Sequence, residues 1–404
     1  MRIVLFYSGV DSFNYFTDCL CREFTGRNHE VFILNLQNPP ESDPHSYRCF
    51  AEFLQKRVDM AVGFDGFGIK DDLFIELWDE LGVTAVNILM DHPLRFHPTM
   101  EHHPGRYIQF CCDRNHVAYV EKYFSESVSR VQFMPHAGTP AEETPNRPFA
   151  GRKYDILFSG TYYRPQEQRE RIAEYFPQGS PLYDFYMCMA DYMLGHCKVT
   201  TEQALLDTIR QTGLSVQESQ LKTMFRCSEP LDWMVRMYQR ERVVSVLAEA
   251  GFDLWLLGRG WENHPCAGRP NVHRIDDRVP FAQTLPYMAD AKLNLNVMPW
   301  FKAGTHDRIF NILLQHSLPL TDTSSWIDEN FKAGEEIALY DLEELEKLPE
   351  LAGSLLSDAA KAESMIAKGY EKVKNNFTWV NCADRILQAA GEEERQPWDS
   401  TNHF

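Results

Sequence analysis

The stretch Gly304-Thr305-His306-Asp307-Arg308-Ile309-Phe310-Asn311 lies between two segments that have the pattern of strands. Before it, residues 292–298 (Lys-Leu-Asn-Leu-Asn-Val-Met) alternate apolar and polar side chains, which is typical of a half-buried strand. After it, apolar residues at helical spacing lead into a second strand at Leu318–Asp322. This order of strand, polar loop, helix and strand predicts a parallel α/β sheet, in which the loops at the carboxyl ends of the strands bind ligands.

The polar loop concentrates groups that bind anions. His306 and Arg308 supply hydrogen-bond donors, Lys302 adds positive charge, and an arginine can hold two phosphate oxygens at once. The amide groups at the start of a helix and the positive end of its dipole add to this attraction. We therefore predict a site for a phosphorylated ligand. The alternative is an ordinary helix cap by Thr305 or Asp307 with solvated basic neighbours.

Composition and charge exclude several classes of protein. The 404 residues, 44% of them hydrophobic, suffice for two domains with packed cores. A formal net charge of −18 disfavours a nucleic-acid or anionic-membrane binder, which needs a basic surface. No apolar run approaches the roughly 20 residues of a transmembrane helix, and the first apolar run is too short for a signal peptide, so we predict a cytoplasmic protein without a transmembrane segment. The ten cysteines have no metal-binding spacing, and we predict no metal site.

Short apolar runs followed by helix-like segments recur over residues 1–150, which predicts a Rossmann-like α/β domain. Its six candidate strands are Ile3–Tyr7, Val31–Leu36, Met60–Val62, Val83–Leu89, Tyr107–Cys111 and Val131–Met134. The polar, proline-rich residues 138–148 predict a linker. A second Rossmann-like domain is predicted over residues 151–380, with a helical insertion over about 181–250, and residues 381–404 predict a terminal helix and tail.

Two histidines and a carboxylate follow strands of the first domain. Asp91 and His92 follow the Val83–Leu89 strand, and His136 follows the Val131–Met134 strand, which predicts that all three lie at the carboxyl edge of the sheet. A histidine exchanges protons near neutral pH, and a neighbouring carboxylate can orient the ring or raise its pKa. We predict that these three residues are catalytic. The alternative for each histidine is a structural role.

Two glycine-containing loops follow strands of the second domain. Gly160, Thr161 and Arg164 follow the first strand, where the glycine lets a phosphate approach the backbone and the other two residues bond to it. Arg259 and Trp261 follow the next strand, and the indole ring is suited to stacking on a base or sugar. The alternatives are a glycine turn with a solvated Arg164, and Trp261 as a lid over the core.

A further loop, Ser8-Gly9-Val10-Asp11-Ser12, resembles the Ser-Gly-Gly-x-Asp-Ser pattern of ATP-pyrophosphatase enzymes. It is one residue short and lacks the second glycine, which a phosphate cradle needs. We therefore favour a strand-to-helix turn capped by Asp11 or Ser12, and keep an ATP-dependent enzyme as a third hypothesis.

The later part of the chain resembles a known family. Over residues 285–390, the segments Arg308–Asn311, Leu320–Thr323, Asn330–Asp341 and Asn376–Trp379 are similar to CgeB-like glycosyltransferases, named for spore-maturation proteins. The resemblance implies the GT-B fold, in which two Rossmann-like domains face a central cleft and the last helix crosses back to the first domain. The second domain would hold a nucleotide-diphosphate sugar and the first an acceptor. It also implies a reaction without metal, since helix amides and basic side chains offset the charge of the leaving diphosphate.

One residue departs from the family pattern. The family usually has Glu directly after Arg-x-Phe, where this chain has Asn311. Without that carboxylate, the hydroxyl groups of the sugar or ribose must be held differently. Asn311 still donates and accepts hydrogen bonds, so its presence is compatible with activity.

The leading hypothesis is a glycosyltransferase, inverting or retaining, that has no cofactor and uses a nucleotide-diphosphate sugar as co-substrate. The predicted donor-binding residues are Gly160, Thr161, Arg164, Arg259, Trp261, Lys302, His306, Asp307, Arg308, Asn311 and Asp322. The acceptor stays open between a small molecule, a glycan and a protein, and we predict no nucleic-acid partner. The alternative is a non-catalytic nucleotide-sugar-binding or scaffold protein of the same fold.

Overall fold

Six parallel strands form the sheet of the first compact unit, Met1–Ala137. The structure is a computed structural model that describes residues 1–141, 147–275 and 279–394. The strands are β1 (Arg2–Tyr7), β2 (Glu30–Asn35), β3 (Met60–Phe64), β4 (Thr84–Leu89), β5 (Tyr107–Cys111) and β6 (Val131–Phe133), in the order β2-β1-β3-β4-β5-β6. The helices are α1 (Asp11–Gly26), α2 (Pro44–Leu54), α3 (Asp72–Leu81), α4 (His97–Glu101) and α5 (Arg114–Tyr123). All six predicted strands are confirmed.

The central strands of this sheet are buried along their whole length. Every residue of β3, β4 and β5 is buried, as expected for parallel strands that are covered on both faces, whereas the edge strand β6 is half-buried. The polar residues inside the sheet are paired, because Asn87 donates to Gln109 Oε1 at 3.1 Å and accepts from the Gly66 amide at 2.8 Å. The second of these bonds fixes the loop that follows β3.

A second parallel sheet lies within residues 138–376. Its strands are β7 (Tyr154–Ser159), β8 (Leu254–Leu257), β9 (Val272–Ile275), β10 (Ala291–Asn296), β11 (Leu318–Thr321) and β12 (Ala338–Leu339), in the order β12-β11-β10-β7-β8-β9. Its helices are α6 (Pro165–Glu170), α7 (Pro181–Gly195), α8 (Thr201–Thr212), α9 (Glu218–Cys227), α10 (Glu229–Glu249), α11 (Phe281–Ala289), α12 (Asp307–Leu314), α13 (Ser325–Asn330), α14 (Leu348–Ser357) and α15 (Ala359–Asn376). Two parallel sheets with surrounding helices are the predicted α/β architecture.

The predicted insertion is helical, and its last helix belongs to the core of the second unit. Helices α7 to α10 account for the insertion without a strand in any described residue of it. On α10, Val243, Val244 and Leu247 pack in one apolar cluster with Leu254 and Leu256 of β8. This packing fixes α10, and therefore the polar side chains that it carries, against the sheet. None of the helices in the described ranges is long and apolar enough to cross a membrane.

The last helix, α16 (Trp379–Glu394), joins the first unit, as the resemblance implies. The Trp379 ring lies 4.9 Å from the Phe16 ring, and Asp384 pairs with Arg27 at 2.9 Å. The terminal segment is therefore part of the first unit from Phe377 onward and not a separate element.

The boundary between the units also differs from the prediction, because the second unit begins at Gly138 and not near residue 150. Helix α12 binds the start of the predicted linker: Asn311 accepts from the Thr139 amide and Gln315 from the Ala141 amide, both at 2.8 Å. Residues 142–146 of that linker and the tail from residue 395 lie outside the described residues.

Glycines let the loops after β7 and β8 pack backbone to backbone. Gly258 and Gly260 have φ angles of 129° and 85°, and a Cβ atom on either would overlap a carbonyl group of the β7 loop. Trp261 donates from Nε1 to the Gly160 carbonyl at 2.7 Å and stacks on Tyr162 with ring centroids 5.2 Å apart. The Trp261 ring is only 1% exposed, so it covers the core and is not available to stack on a ligand base.

We expect Gly260→Ala to lower the free energy of unfolding by roughly 2–3 kcal/mol, because the new methyl group meets the Tyr162 carbonyl in a backbone conformation that alanine avoids. Gly268→Ala is the matched control, since a Cβ atom there has open space. Urea denaturation of both variants checks this. Equal unfolding midpoints for the two variants would show that the loop contact is not tight.

Candidate functional site

Polar residues form one row across the carboxyl edge of the second sheet. Asn296 ends β10 and pairs in register with Thr321, the last residue of β11. Ser159 ends β7 directly after Phe158, which pairs with Leu295. The Asn296 amide donates to Thr321 Oγ1 at 2.9 Å, so the row is connected by hydrogen bonds as well as by strand pairing.

Arg308 lies over this row with its charge buried. Its Nη1 donates to Asn296 Oδ1 at 2.7 Å, and its guanidinium carbon is 5.5 Å from the centre of the Phe158 ring. Gly160 makes room for it, because a Cβ atom there would lie 3.3 Å from Arg308 Nη2. Burial lowers the pKa of Arg308, while Asp307 and Asp322 raise it, and arginine stays charged in either case. Among the described residues, the Arg308 side chain makes a single hydrogen bond, which leaves donors for an anionic ligand.

His306 directly precedes helix α12, at the cap position that the alternative interpretation assigned to Thr305 or Asp307. Its Nδ1 is 3.2 Å from the Arg308 amide and 2.5 Å from Asp307 Oδ1. Since one ring nitrogen cannot accept from the amide and donate to the carboxylate at once, the shorter contact favours a proton on Nδ1. Burial, followed by the charge of Arg308, lowers the pKa of His306, so the ring is neutral near pH 7 and its positive charge is not part of the site.

Two further arginines reach the same region from α10. Arg240 donates to the Thr161 carbonyl at 2.6 Å, and its guanidinium carbon lies 5.7 Å from the Phe158 ring and 5.4 Å from the Trp300 ring. Arg236, one turn earlier, lies 4.2 Å from the same Trp300 ring and pairs with Asp232 at 3.0 Å. Both arginines are buried, and Arg240 is close enough to His306 to lower the pKa of that ring.

Sequence reasoning missed these two arginines. A signal for them exists in the run Asp232–Arg240, where apolar residues occur on all sides of the helix. A helix that is apolar all round is buried, and its arginines are then buried with it.

The other predicted donor-binding residues have different surroundings. Gly160 and Thr161 lie beside Arg308 and Arg240 through the contacts above, whereas Arg164 and Arg259 are exposed on the loops after β7 and β8. Lys302 donates from Nζ to the Cys197 carbonyl, which ties the Trp300 loop to the connection between α7 and α8.

Asp322 follows β11, and only one of its two carboxyl oxygens accepts a hydrogen bond among the described residues. Its Oδ1 accepts from the Met298 amide at 2.8 Å, while Oδ2 is buried and has no hydrogen-bond partner among the described residues. Burial raises the pKa of this carboxyl to about 7, against the opposing influence of Lys302. A buried carboxylate oxygen without a partner costs about 1–3 kcal/mol or more.

Asn311 connects α12 to Thr139, near the start of the second unit, and has no polar atom left to bind a ligand. It is 1% exposed; its Nδ2 donates to Asp307 Oδ2 at 2.9 Å and its Oδ1 accepts from the Thr139 amide. Both ends of the amide are therefore used within the protein, and we remove Asn311 from the donor-binding set. An ionised Glu could accept from Thr139 but could not donate to Asp307.

At the carboxyl edge of the first sheet, Asp91 pairs with Arg95 at 3.2 Å. His92 is buried; its Nδ1 accepts from the Leu94 amide at 3.0 Å, and its ring lies 4.5 Å from the His116 ring. The hydrogen bond from the Leu94 amide positions the His92 ring, and the catalytic role of His92 stays a prediction. His136 lies beyond β6 at the same edge, and because β5 lies between them, β6 and β4 are about 10 Å apart.

Asp65 is a carboxylate at this edge that sequence reasoning missed. It follows β3 with φ of 49°, and its Oδ1 accepts from the Met90 amide at 2.9 Å. Burial, followed by the charge of Asp91, raises the pKa of Asp65 to about 7. The signal in the sequence was the pair Asp65-Gly66 directly after a strand.

The segment Ser8–Val10 is a turn from strand β1 to helix α1, as favoured from the sequence. The Ser8 amide donates to Asn14 Oδ1 at 2.7 Å, and Ser8 Oγ accepts from the Val10 amide at 3.2 Å. Helix α1 begins at Asp11 without a side-chain cap, so the predicted caps Asp11 and Ser12 were wrong. Across the described ranges, no three His, Cys, Asp or Glu side chains are grouped so as to hold a metal ion.

We expect Asn311→Glu, which introduces the residue of the CgeB-like pattern, to lower the free energy of unfolding by about 2–4 kcal/mol, because it places a second buried carboxylate against Asp307. Adding Asp307→Asn returns an amide donor to the pair and should recover at least about 1 kcal/mol. Urea denaturation of the two single variants and the double variant measures the coupling. Additive losses would mean that residues 307 and 311 do not interact.

Comparisons with known proteins agree with this architecture. Residues 239–388 match the family model described as glycosyl transferase-like, and no curated protein sequence matches the chain. Sucrose-phosphate synthase from Thermosynechococcus elongatus is similar in structure, with 11% identity, a TM-score of 0.54, and coverage of 98% of this chain and 99% of that one.

Two other structures carry nucleotides. HepE from Anabaena, in complex with UDP-glucose, has 10% identity and a TM-score of 0.52, over 97% of this chain and 100% of that one. An α-glucosyltransferase in complex with UDP and a 13-mer DNA has 11% identity and a TM-score of 0.55, over 97% and 100%. The chain therefore has the GT-B fold of glycosyltransferases, and its residues 239–388 are similar to the glycosyl transferase-like family.

Proposed function

We propose that the protein is a glycosyltransferase of the CgeB-like group that transfers a sugar from a nucleotide-diphosphate sugar to an acceptor. The observation that carries this proposal is the buried charge of Arg308 at the carboxyl edge of the second sheet. Its guanidinium has N–H groups that make no hydrogen bond among the described residues. The similarity of residues 239–388 to glycosyl transferase-like proteins supports it.

In this proposal the diphosphate of the donor lies against Arg308 and Arg240. As the bond between sugar and phosphate breaks, negative charge develops on the leaving diphosphate, and fixed guanidinium groups in a buried site stabilise that charge strongly. Gly160 lets the phosphate approach the β7 loop, and the hydroxyl and amide of Thr161 are further donors. The proposed reaction needs no metal ion, because the positive charges of the two arginines stabilise the leaving diphosphate.

The acceptor is proposed to bind at the carboxyl edge of the first sheet. A carboxylate whose pKa is raised to about 7, as burial does for Asp65, can take a proton from an acceptor hydroxyl near neutral pH. Asp91 and His136 lie at the same edge as polar contacts or a second base. The net charge of −18 favours a small molecule, glycan or protein over a nucleic acid, although one structural neighbour binds DNA.

The second candidate is a non-catalytic protein that binds nucleotide sugars. The observation in its favour is Asn311, whose amide is used within the protein where the family has a carboxylate. Tight nucleotide-sugar binding without transfer or hydrolysis would favour this candidate, and release of nucleoside diphosphate would exclude it.

We expect Arg308→Gln to weaken binding of the donor about 10- to 100-fold, since charge-assisted hydrogen bonds to phosphate contribute about 1.5–3 kcal/mol. Calorimetric titration with UDP-, GDP- and ADP-glucose identifies the donor and measures the loss. Arg269→Gln removes an exposed arginine of the same unit and should leave the affinity unchanged.

If Arg308→Gln stays folded and binds the donor as tightly as the unaltered protein, the donor site is elsewhere. Circular dichroism and the melting temperature establish that the variant is folded.

A further inference from the structure

Asp322 has an unused acceptor at the edge of the sheet where Arg308 lies. Only 2% of the residue is exposed, and Oδ1 is taken by the Met298 amide. Oδ2 has no hydrogen-bond partner in the part of the chain that the structure describes. Buried polar atoms in folded proteins are almost always paired, so an unpaired carboxylate oxygen calls for a partner that comes from outside the chain.

A second unpaired atom lies on the same edge. Ser159 Oγ, at the end of β7, is buried and also has no partner among the described residues. Asn296 lies between Ser159 and the end of β11, because β10 separates β7 from β11. The edge thus carries two unsatisfied oxygens on either side of the residue that holds Arg308.

The charges around Asp322 define the chemistry of the missing partner. Lys302 and Arg308 are the cations near its carboxyl group, and Tyr340 is the neighbouring phenol, whose hydroxyl donates to the Asn296 carbonyl at 2.6 Å. Above about pH 7 the Asp322 carboxyl is mainly ionised, and in that form it repels phosphate and only accepts hydrogen bonds, so a ligand that bonds to both Arg308 and Asp322 carries an anion and a hydroxyl group. Nucleotide sugars carry both.

We propose that Asp322 Oδ2 accepts a hydrogen bond from a hydroxyl group of the donor, and so selects polyhydroxylated diphosphates over diphosphate alone. This inference rests on the proposed function. It also assigns the contact with donor hydroxyls to the residue that follows β11, since both polar atoms of the Asn311 side chain on α12 are hydrogen-bonded within the protein. The carboxylate that the family pattern would place at residue 311 is then supplied by a different element of the same unit.

The test compares Asp322→Asn with the unaltered protein by calorimetric titration. The amide oxygen of the new side chain preserves the bond to the Met298 amide, so the fold is kept while the acceptor becomes a donor. The ligands are inorganic pyrophosphate, UDP and UDP-glucose, with GDP and ADP and their glucose derivatives if these bind more tightly. Asp328→Asn is the control, since Asp328 is exposed on the nearby α13.

We expect Asp322→Asn to bind the nucleotide sugar about tenfold more weakly and to bind pyrophosphate as tightly as before or more tightly. An equal loss for UDP assigns the hydroxyl to the ribose, and a loss confined to UDP-glucose assigns it to the sugar. The melting temperature at pH 8 checks that the variant is folded, because removal of the unpaired carboxylate favours the folded state while loss of its field at Arg308 opposes that gain.

Three results would overturn the inference. Unchanged affinity of folded Asp322→Asn for the nucleotide sugar, with Arg308→Gln impaired, contradicts the role of Asp322 and leaves the proposed function standing. Equal losses for pyrophosphate and nucleotide sugar indicate general damage to the site. A protein that binds none of these nucleotide sugars contradicts both the inference and the proposed function. If Asp322→Asn does not fold, Asp322→Ser with the same ligands decides between these outcomes.

Discussion

The buried charge of Arg308 constrains the whole carboxyl edge of the second sheet. Removing a guanidinium from water costs several kcal/mol unless nearby groups compensate, and here the side-chain oxygen of Asn296, the Phe158 ring and the fields of Asp307 and Asp322 do so. Asn296 serves this purpose because its amide turns one end to the arginine and the other to Thr321. Gly160 lacks a side chain where Arg308 needs the space.

The same constraint extends along α12. Asp307 raises the pKa of Arg308 and so stabilises its charged form. Asn311 carries no charge; it donates a hydrogen bond to Asp307 and accepts one from the Thr139 amide. Asn311, where the CgeB-like pattern has Glu, thus supports the buried carboxylate of Asp307 in this fold. The departure at residue 311 is therefore coupled to Asp307, one turn earlier.

The first sheet could be predicted from the sequence because its strands are short, mainly apolar runs that need no distant information. In the second sheet, the short strands β9 and β12 were not predicted. The site loop at residues 304–311 could also be predicted, since the order of strand, loop and helix is local. The role of Asn311 could not, because its partner Thr139 is 172 positions away. Arg240 and Asp65 were missed for a similar reason: their burial depends on the sheet against which each element packs. The family resemblance, and no local pattern, predicted that the last helix returns to the first unit.

The return of the last helix to the first unit affects the order in which the chain folds during synthesis. Phe16 is covered by Trp379, so the first unit is assembled from two segments of the chain, and the second unit lies between them in the sequence. During synthesis at about 5–20 residues per second, Trp379 leaves the ribosome roughly 10–50 seconds after Ala137. For that interval the face of α1 that carries Phe16 lacks its partner, and an apolar surface is exposed to chaperones and to neighbouring nascent chains. The second unit has no such gap, and it can complete its sheet before the first unit is closed.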